Sequence, residues 1–142
     1  MARADLAKLA GTNWNGTGEL WLDPLGNEAH RYECTMAIDD STVRYTWSYE
    51  GKEHQGVYTL RDGAITWTDS WHQSKLVECN ELPNAWGLFA HHFTYTAGEG
   101  PAWGWRTTLS QRPTGELVLQ MTNITSWGEE ARAVRMVFTP KP

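Results

Sequence analysis

Long hydrophobic runs, basic clusters and metal-ligand spacings are all missing from this chain. No apolar run approaches the roughly 20 residues needed to span a bilayer. Twelve Lys and Arg stand against 17 Asp and Glu, a net charge of −5, and no stretch gathers the positive charges. The electrostatic footprint of a nucleic-acid binder is therefore absent. Cysteine is scarce: Cys34 and Cys79 are the only two, with neither Cys-x-x-Cys nor zinc spacing. They read as free buried thiols in a reducing compartment rather than as a disulfide. Gly-rich phosphate loops, the dinucleotide fingerprint and Gly-x-Ser-x-Gly are also lacking. His91-His92 looks like a metal pair, but adjacent strand residues point to opposite faces, so no metal is expected. Residues 1–10 are too short and too charged for a signal peptide, which gives the expectation of a soluble cytoplasmic protein with no membrane partner.

What the chain does have is tryptophan. Nine indoles occur in 142 residues: Trp14, Trp21, Trp47, Trp67, Trp71, Trp86, Trp103, Trp105 and Trp127. An indole needs a partner for its N–H when buried, so this many rings either overfill a solid core or line a cavity. Apolar residues make up 40% of the chain and charged residues 20%, the balance of one globular domain, 1–142.

Residues 3–10 predict a short helix with Leu6 and Leu9 on one side. From Gly11 onward, segments rich in Trp, Tyr, Thr and Val alternate with turn signals such as Asp23-Pro24-Leu25-Gly26-Asn27, Asp62-Gly63 and Asn80-Glu81-Leu82-Pro83-Asn84. About ten strands are expected, near 12–22, 28–38, 42–50, 53–61, 64–72, 74–79, 86–96, 103–112, 116–125 and 130–139. Without helical crossovers the neighbours should be antiparallel. So many strands must curl, and closure removes both edges. The predicted fold is all-β: a single up-and-down antiparallel barrel over 12–139 with a short N-terminal helix.

Two hairpins sharpen this. Reading Gly51-Lys52 and Asp62-Gly63 as two-residue loops sets the register. Tyr49 then faces His54, Trp47 faces Gly56 and Tyr45 faces Tyr58. Tyr58 faces Trp67, Gly56 faces Asp69 and His54 faces Trp71. One side of these strands carries Tyr45, Trp47, Tyr49, His54, Tyr58, Trp67, Asp69 and Trp71. The other carries Thr, Ser, Gln, Arg and His72, and belongs to solvent. Asp69 among tryptophans, with Gly56 leaving a gap beside it, suggests an aromatic cavity with a polar fixture. Two readings of Asp69 stand: it orients a ligand, or it accepts indole and phenol hydrogen bonds and holds the barrel together. Trp103 and Trp105 share a face. Arg106 takes the other, and whether it points in toward Asp69 or out to solvent is open. Arg132 and Arg135 fall on opposite faces of the last strand, so one should be buried, with a cation near Trp14.

The opening Gly11-Thr12-Asn13-Trp14-Asn15-Gly16-Thr17-Gly18 resembles the first strand of calycin barrels. Nitrobindin-like proteins carry Gly-x-Trp-x-Gly-x-Gly there; here one residue is inserted before the Trp. Trp47-Ser48-Tyr49-Glu50-Gly51-Lys52, Trp67-Thr68-Asp69-Ser70-Trp71-His72, Gly100-Pro101-Ala102-Trp103-Gly104-Trp105-Arg106 and Asn123-Ile124-Thr125 together resemble an uncharacterised bacterial family of calycin-like proteins. The resemblance implies a barrel like those of fatty-acid-binding proteins and transfers no catalytic residue. The nitrobindin haem histidine has no match here, and the Arg-x-Tyr carboxylate clamp is missing from Arg132-Ala133-Val134-Arg135-Met136.

The expected function is binding of a small, largely apolar or amphipathic molecule inside the barrel. The candidate contacts are Tyr45, Trp47, Tyr49, His54, Tyr58, Trp67, Asp69, Trp71, Trp103, Trp105 and Arg106. No cofactor is required by the sequence, haem remains a minor alternative, and a homodimer is left open. The competing readings are a barrel-housed hydrolase, isomerase or haem-dependent enzyme using Asp69 or an inward histidine, and a structural or stress protein without a ligand.

Overall fold

A computed structural model describes residues 2–23, 26–61, 64–82, 87–96 and 98–141, with residues 2–4 described by backbone alone. A six-residue helix, α1 (Ala2–Ala7), precedes ten strands. These are β1 (Thr12–Trp21), β2 (Ala29–Ile38), β3 (Thr42–Tyr49), β4 (Lys52–Arg61), β5 (Ala64–Asp69), β6 (Gln73–Glu81), β7 (Phe89–Tyr95), β8 (Trp103–Gln111), β9 (Leu117–Ile124) and β10 (Glu130–Pro140). Each strand pairs antiparallel with its neighbours in sequence, and β10 returns to β1 to close the barrel. The expected up-and-down architecture is present. Trp86, which the expected seventh strand included, and the turn residues Pro24, Leu25, Asp62, Gly63, Pro83 and Asn84 lie outside the described residues.

Alternation drives the burial. Val43, Tyr45 and Trp47 on β3 are buried, while Arg44 and Ser48 between and beside them are exposed. At the end where β1 begins, the interior is apolar throughout: Ile38, Val43, Ile65, Leu109, Leu117 and Phe138 have essentially no exposure. Helix α1 covers this end, with Leu6 buried and Leu9 packed against the same cluster. Trp14 is buried here too, its indole N–H donating to Thr12 Oγ1 at 2.9 Å. At the opposite end the chain carries Tyr49, His54, Asp69, Trp71, His72, Tyr95 and Trp103, an aromatic and polar mouth.

The β3–β4 hairpin departs from the expected register by two residues. Its loop is Glu50-Gly51, both at positive φ (52° and 76°), so Tyr49 pairs with Lys52 and Trp47 with His54. Positive φ at both loop positions matches the twist of a type I′ hairpin. A shift of two preserves which face each residue occupies, so the inward set survives while its pairings change. Tyr45 now lies opposite Gly56, and Tyr58 opposite Val43. The β4–β5 register is the expected one, with Tyr58 opposite Trp67 and Gly56 opposite Asp69.

The seams are unequal. β1 and β2 run paired from Thr12↔Ile38 to Trp21↔Ala29. By contrast β6 and β7 meet only at Asn80↔His92 and Glu81↔His91. From there toward the mouth these two strands diverge, and Leu76 on β6 is exposed.

Both cysteines are free and buried, and burial pushes each thiol up to about 12. The final strand corrects the arginine expectation. A β-bulge between Arg132 and Val134 changes the phase, so Ala133 and Val134 are both buried and neither arginine is. The Arg132 guanidinium lies 4.5 Å from the centroid of Trp21, not over Trp14, and its Nε donates to the Gly26 carbonyl at 2.9 Å.

Candidate functional site

Asp69 is the last residue of β5 and is wholly buried. Four donors converge on its two oxygens. Oδ1 accepts from the backbone N–H of Trp71 at 2.8 Å and of His72 at 2.9 Å. Oδ2 accepts from the Tyr45 hydroxyl at 2.6 Å and the Trp47 indole at 3.2 Å. Tyr45 Oη in turn accepts from Trp67 Nε1 at 3.0 Å, which commits the Tyr45 proton to Asp69. The structural reading of Asp69 is thus realised in the geometry: one carboxylate ties β3, β5 and the following turn together.

Gly56 makes this possible. A Cβ on Gly56 would stand 1.9 Å from Tyr45 Cζ. The gap expected beside Asp69 is therefore filled by the Tyr45 ring, which crosses Gly56 to reach the carboxylate. The two-residue register shift is the cause, since it sets Tyr45 opposite Gly56.

The same carboxylate ends the strand. By capping two successive N–H groups it folds residues 70–72 into an Asx-type turn, and the β5–β6 register shifts between Trp67 and Asp69. Strand alternation stops there. Trp71, expected inside opposite His54, sits on the rim at 44% exposure. His72, expected on the solvent face, turns inward, with its ring 5.4 Å from Trp47 and 5.3 Å from Trp105. Burial holds His72 down at about 4, against the opposing pull of Asp69 and with a smaller push from His54.

The remaining expected contacts divide. Tyr45, Tyr58, Trp67 and Trp105 stack in sequence across the interior with successive centroids 5.9 Å apart. Tyr58 also donates to the buried Thr107 at 3.4 Å. Tyr49 and His54 are half-buried near the rim; His54 lies 4.8 Å from Trp47 and 3.3 Å from Ser70 Oγ. Trp103 is half-buried, edge-on to the exposed Trp127. Arg106 points outward and pairs in bidentate fashion with Glu130, at 3.1 Å for Nη1, so it does not reach Asp69. His91 is buried and His92 half-exposed, on opposite faces as expected. Neither ring nitrogen of His91 has a hydrogen-bond partner among the described residues, and burial lowers it to about 4.

A pocket of about 180 Å³ opens at the mouth, lined by Trp67, His72, Gln73, Phe93, Tyr95 and Trp105. It lies across the divergent β6–β7 seam. Trp67, placed by register, and Trp105, whose facing the sequence left open, are among the expected contacts; His72, Gln73, Phe93 and Tyr95 are not. The signal for His72 and Gln73 was Asp69 itself, an Asx-turn residue followed by Ser70, had it been read as a strand terminator. Deeper in, Trp47, Trp67, Tyr45, Tyr58, Phe89 and Phe138 occupy the interior with under 2% exposure.

Among the described residues no group of three His, Cys, Asp or Glu side chains could hold a metal ion. No described helix is long and apolar enough to cross a membrane. Comparison with protein-family models and with curated proteins finds no match in either.

Proposed function

We propose that the protein binds a small, largely apolar molecule in the mouth pocket of the barrel. The observation that carries this reading is the pocket itself, an aromatic-walled space of about 180 Å³ at the end opposite the helix-covered, apolar one. An apolar cavity of roughly 150 Å³ suffices for benzene, so the guest is of one- or two-ring size. The packed interior beneath it argues against a long acyl chain or a haem lying along the axis. Binding is favoured over acid–base catalysis because His72, held at about 4, is a poor proton acceptor near neutral pH, and Asp69 already accepts four hydrogen bonds. The calycin resemblance supports the same reading.

Tryptophan emission tests it directly. A panel of small apolar and amphipathic compounds is expected to give a saturable change with at least one member. Trp105→Ala should weaken that binding about tenfold or more, and Trp127→Ala, outside the pocket, should leave it intact. A silent panel, together with native mass spectra of freshly purified protein carrying no adduct, overturns the proposal.

A further inference from the structure

The described side chains that line the mouth pocket are aromatic or neutral, with no carboxylate, ammonium or guanidinium among them. Charged groups close by in sequence are engaged elsewhere. Asp69, one turn behind His72, has both oxygens occupied by four donors. Lys75 is exposed, and Arg106 pairs with Glu130 on the outer face. An ion of either sign would leave water there without gaining a counter-charge, which is costly. His72 obeys the same rule: burial holds its imidazole down at about 4, although Asp69 pulls the other way.

The wall is nevertheless not inert, because donors and acceptors are both left over. Gln73 Nε2 spends one N–H on the Lys75 carbonyl at 2.9 Å, which leaves its second N–H and the Oε1 oxygen. No described residue hydrogen-bonds to the His72 ring, so the neutral imidazole keeps one N–H and one acceptor nitrogen. The Tyr95 hydroxyl donates to Asn123 Oδ1 and keeps its capacity to accept. The Trp105 indole N–H has no partner among the described residues. His72 and Gln73 are consecutive, and they reach the wall together because the Asp69 turn ends β5.

Resting on the mouth-pocket reading above, we infer that the guest is a neutral one-ring molecule carrying a group that both donates and accepts, a hydroxyl or a primary amide, with its ring against Trp67, Phe93 and Trp105 and its polar group at His72 and Gln73. A pure hydrocarbon would leave those donors and acceptors unpaired.

Four compounds of similar shape separate charge, polarity and size: benzyl alcohol, ethylbenzene, benzylammonium and benzoate, titrated near neutral pH by tryptophan emission and calorimetry. Benzyl alcohol is expected to bind at least as tightly as ethylbenzene, and about tenfold or more tightly than either ion. A wall without hydrogen-bonding groups would instead favour ethylbenzene by about tenfold or more. His72→Phe keeps a ring and the backbone N–H to Asp69. It should weaken benzyl alcohol about fivefold and leave ethylbenzene unchanged. Gln73→Leu should act in the same direction and serves alone if His72→Phe fails to fold. Tighter binding of ethylbenzene, an ion that matches the alcohol, or an unchanged alcohol affinity in the folded variants overturns the inference yet leaves the pocket reading in place. No binding by any of the four also overturns it, and the broader panel with Trp105→Ala then judges the pocket separately.

Discussion

The two ends of the barrel solve the same packing problem with different chemistry. The helix-covered end is filled by Ile38, Val43, Ile65, Leu109, Leu117 and Phe138, side chains with no hydrogen bonds to satisfy. The mouth is filled by rings that carry polar atoms, and each of these must find a partner. The relay Trp67–Tyr45–Asp69, with Trp47 alongside, meets that demand for three of the rings through one carboxylate, while the Trp105 indole N–H is left without a partner among the described residues. An apolar end tolerates hydrophobic exchange provided volume is kept, whereas a polar relay fails as a unit when one member is lost. The closed end is thus held by packed volume and the mouth by a hydrogen-bonded relay.

Three measurements test that contrast. Phe138→Ala removes a fully buried ring from the closed end and should cost about 3–5 kcal/mol in denaturant unfolding. Ligand affinity in the folded fraction should be unchanged; a large affinity loss would show that the two ends are coupled. Asp69→Ala strands four donors and should cost roughly 3 kcal/mol, together with a change in tryptophan emission as Trp47 and Trp67 lose their anchor. A neutral or stabilising outcome would contradict the relay.

The third measurement is pH. His72 and His91 are each held near 4, chiefly by burial, from an ordinary value of 6.5. Below 6.5 the unfolded chain takes up protons that the folded protein refuses. Stability should therefore fall as pH drops from about 6.5 toward 4 and level off below, by at most about 1.4 kcal/mol per pH unit for each histidine. Urea midpoints at several pH values check this, and His91→Leu should make the decline shallower. An unchanged slope in that variant would mean His91 does not contribute.

The architecture was readable because period-two alternation and turn residues repeat along the chain, and each strand presents its own copy of the signal. Facing was readable for the same reason: moving the β3 loop from Gly51-Lys52 to Glu50-Gly51 changes every partner but no face. Partners were not readable, because both loops have two residues and one glycine, and only the packing of Tyr45 across Gly56 favours the observed one. The site was legible only in part. Asp69 and Trp67 follow from alternation, Trp105 lies on a strand whose facing alternation left open, and Trp71 and His72 exchange roles because a side-chain hydrogen bond ends the strand. Likewise the bulge at Arg132 turns out an arginine that regular alternation would bury. Local hydrogen bonds that interrupt a strand leave no periodic trace.

The meagre junction between β6 and β7 gives the barrel a natural parting line. Cut there, the molecule would be a six-stranded piece and a four-stranded piece, still zipped along β1 and β10 from Trp14↔Pro140 to Leu20↔Val134. The mouth pocket straddles that line: Trp67, His72 and Gln73 belong to one piece, Phe93, Tyr95 and Trp105 to the other. A guest lodged among them would act as a stitch, so reassembly of the separated halves becomes a readout of occupancy.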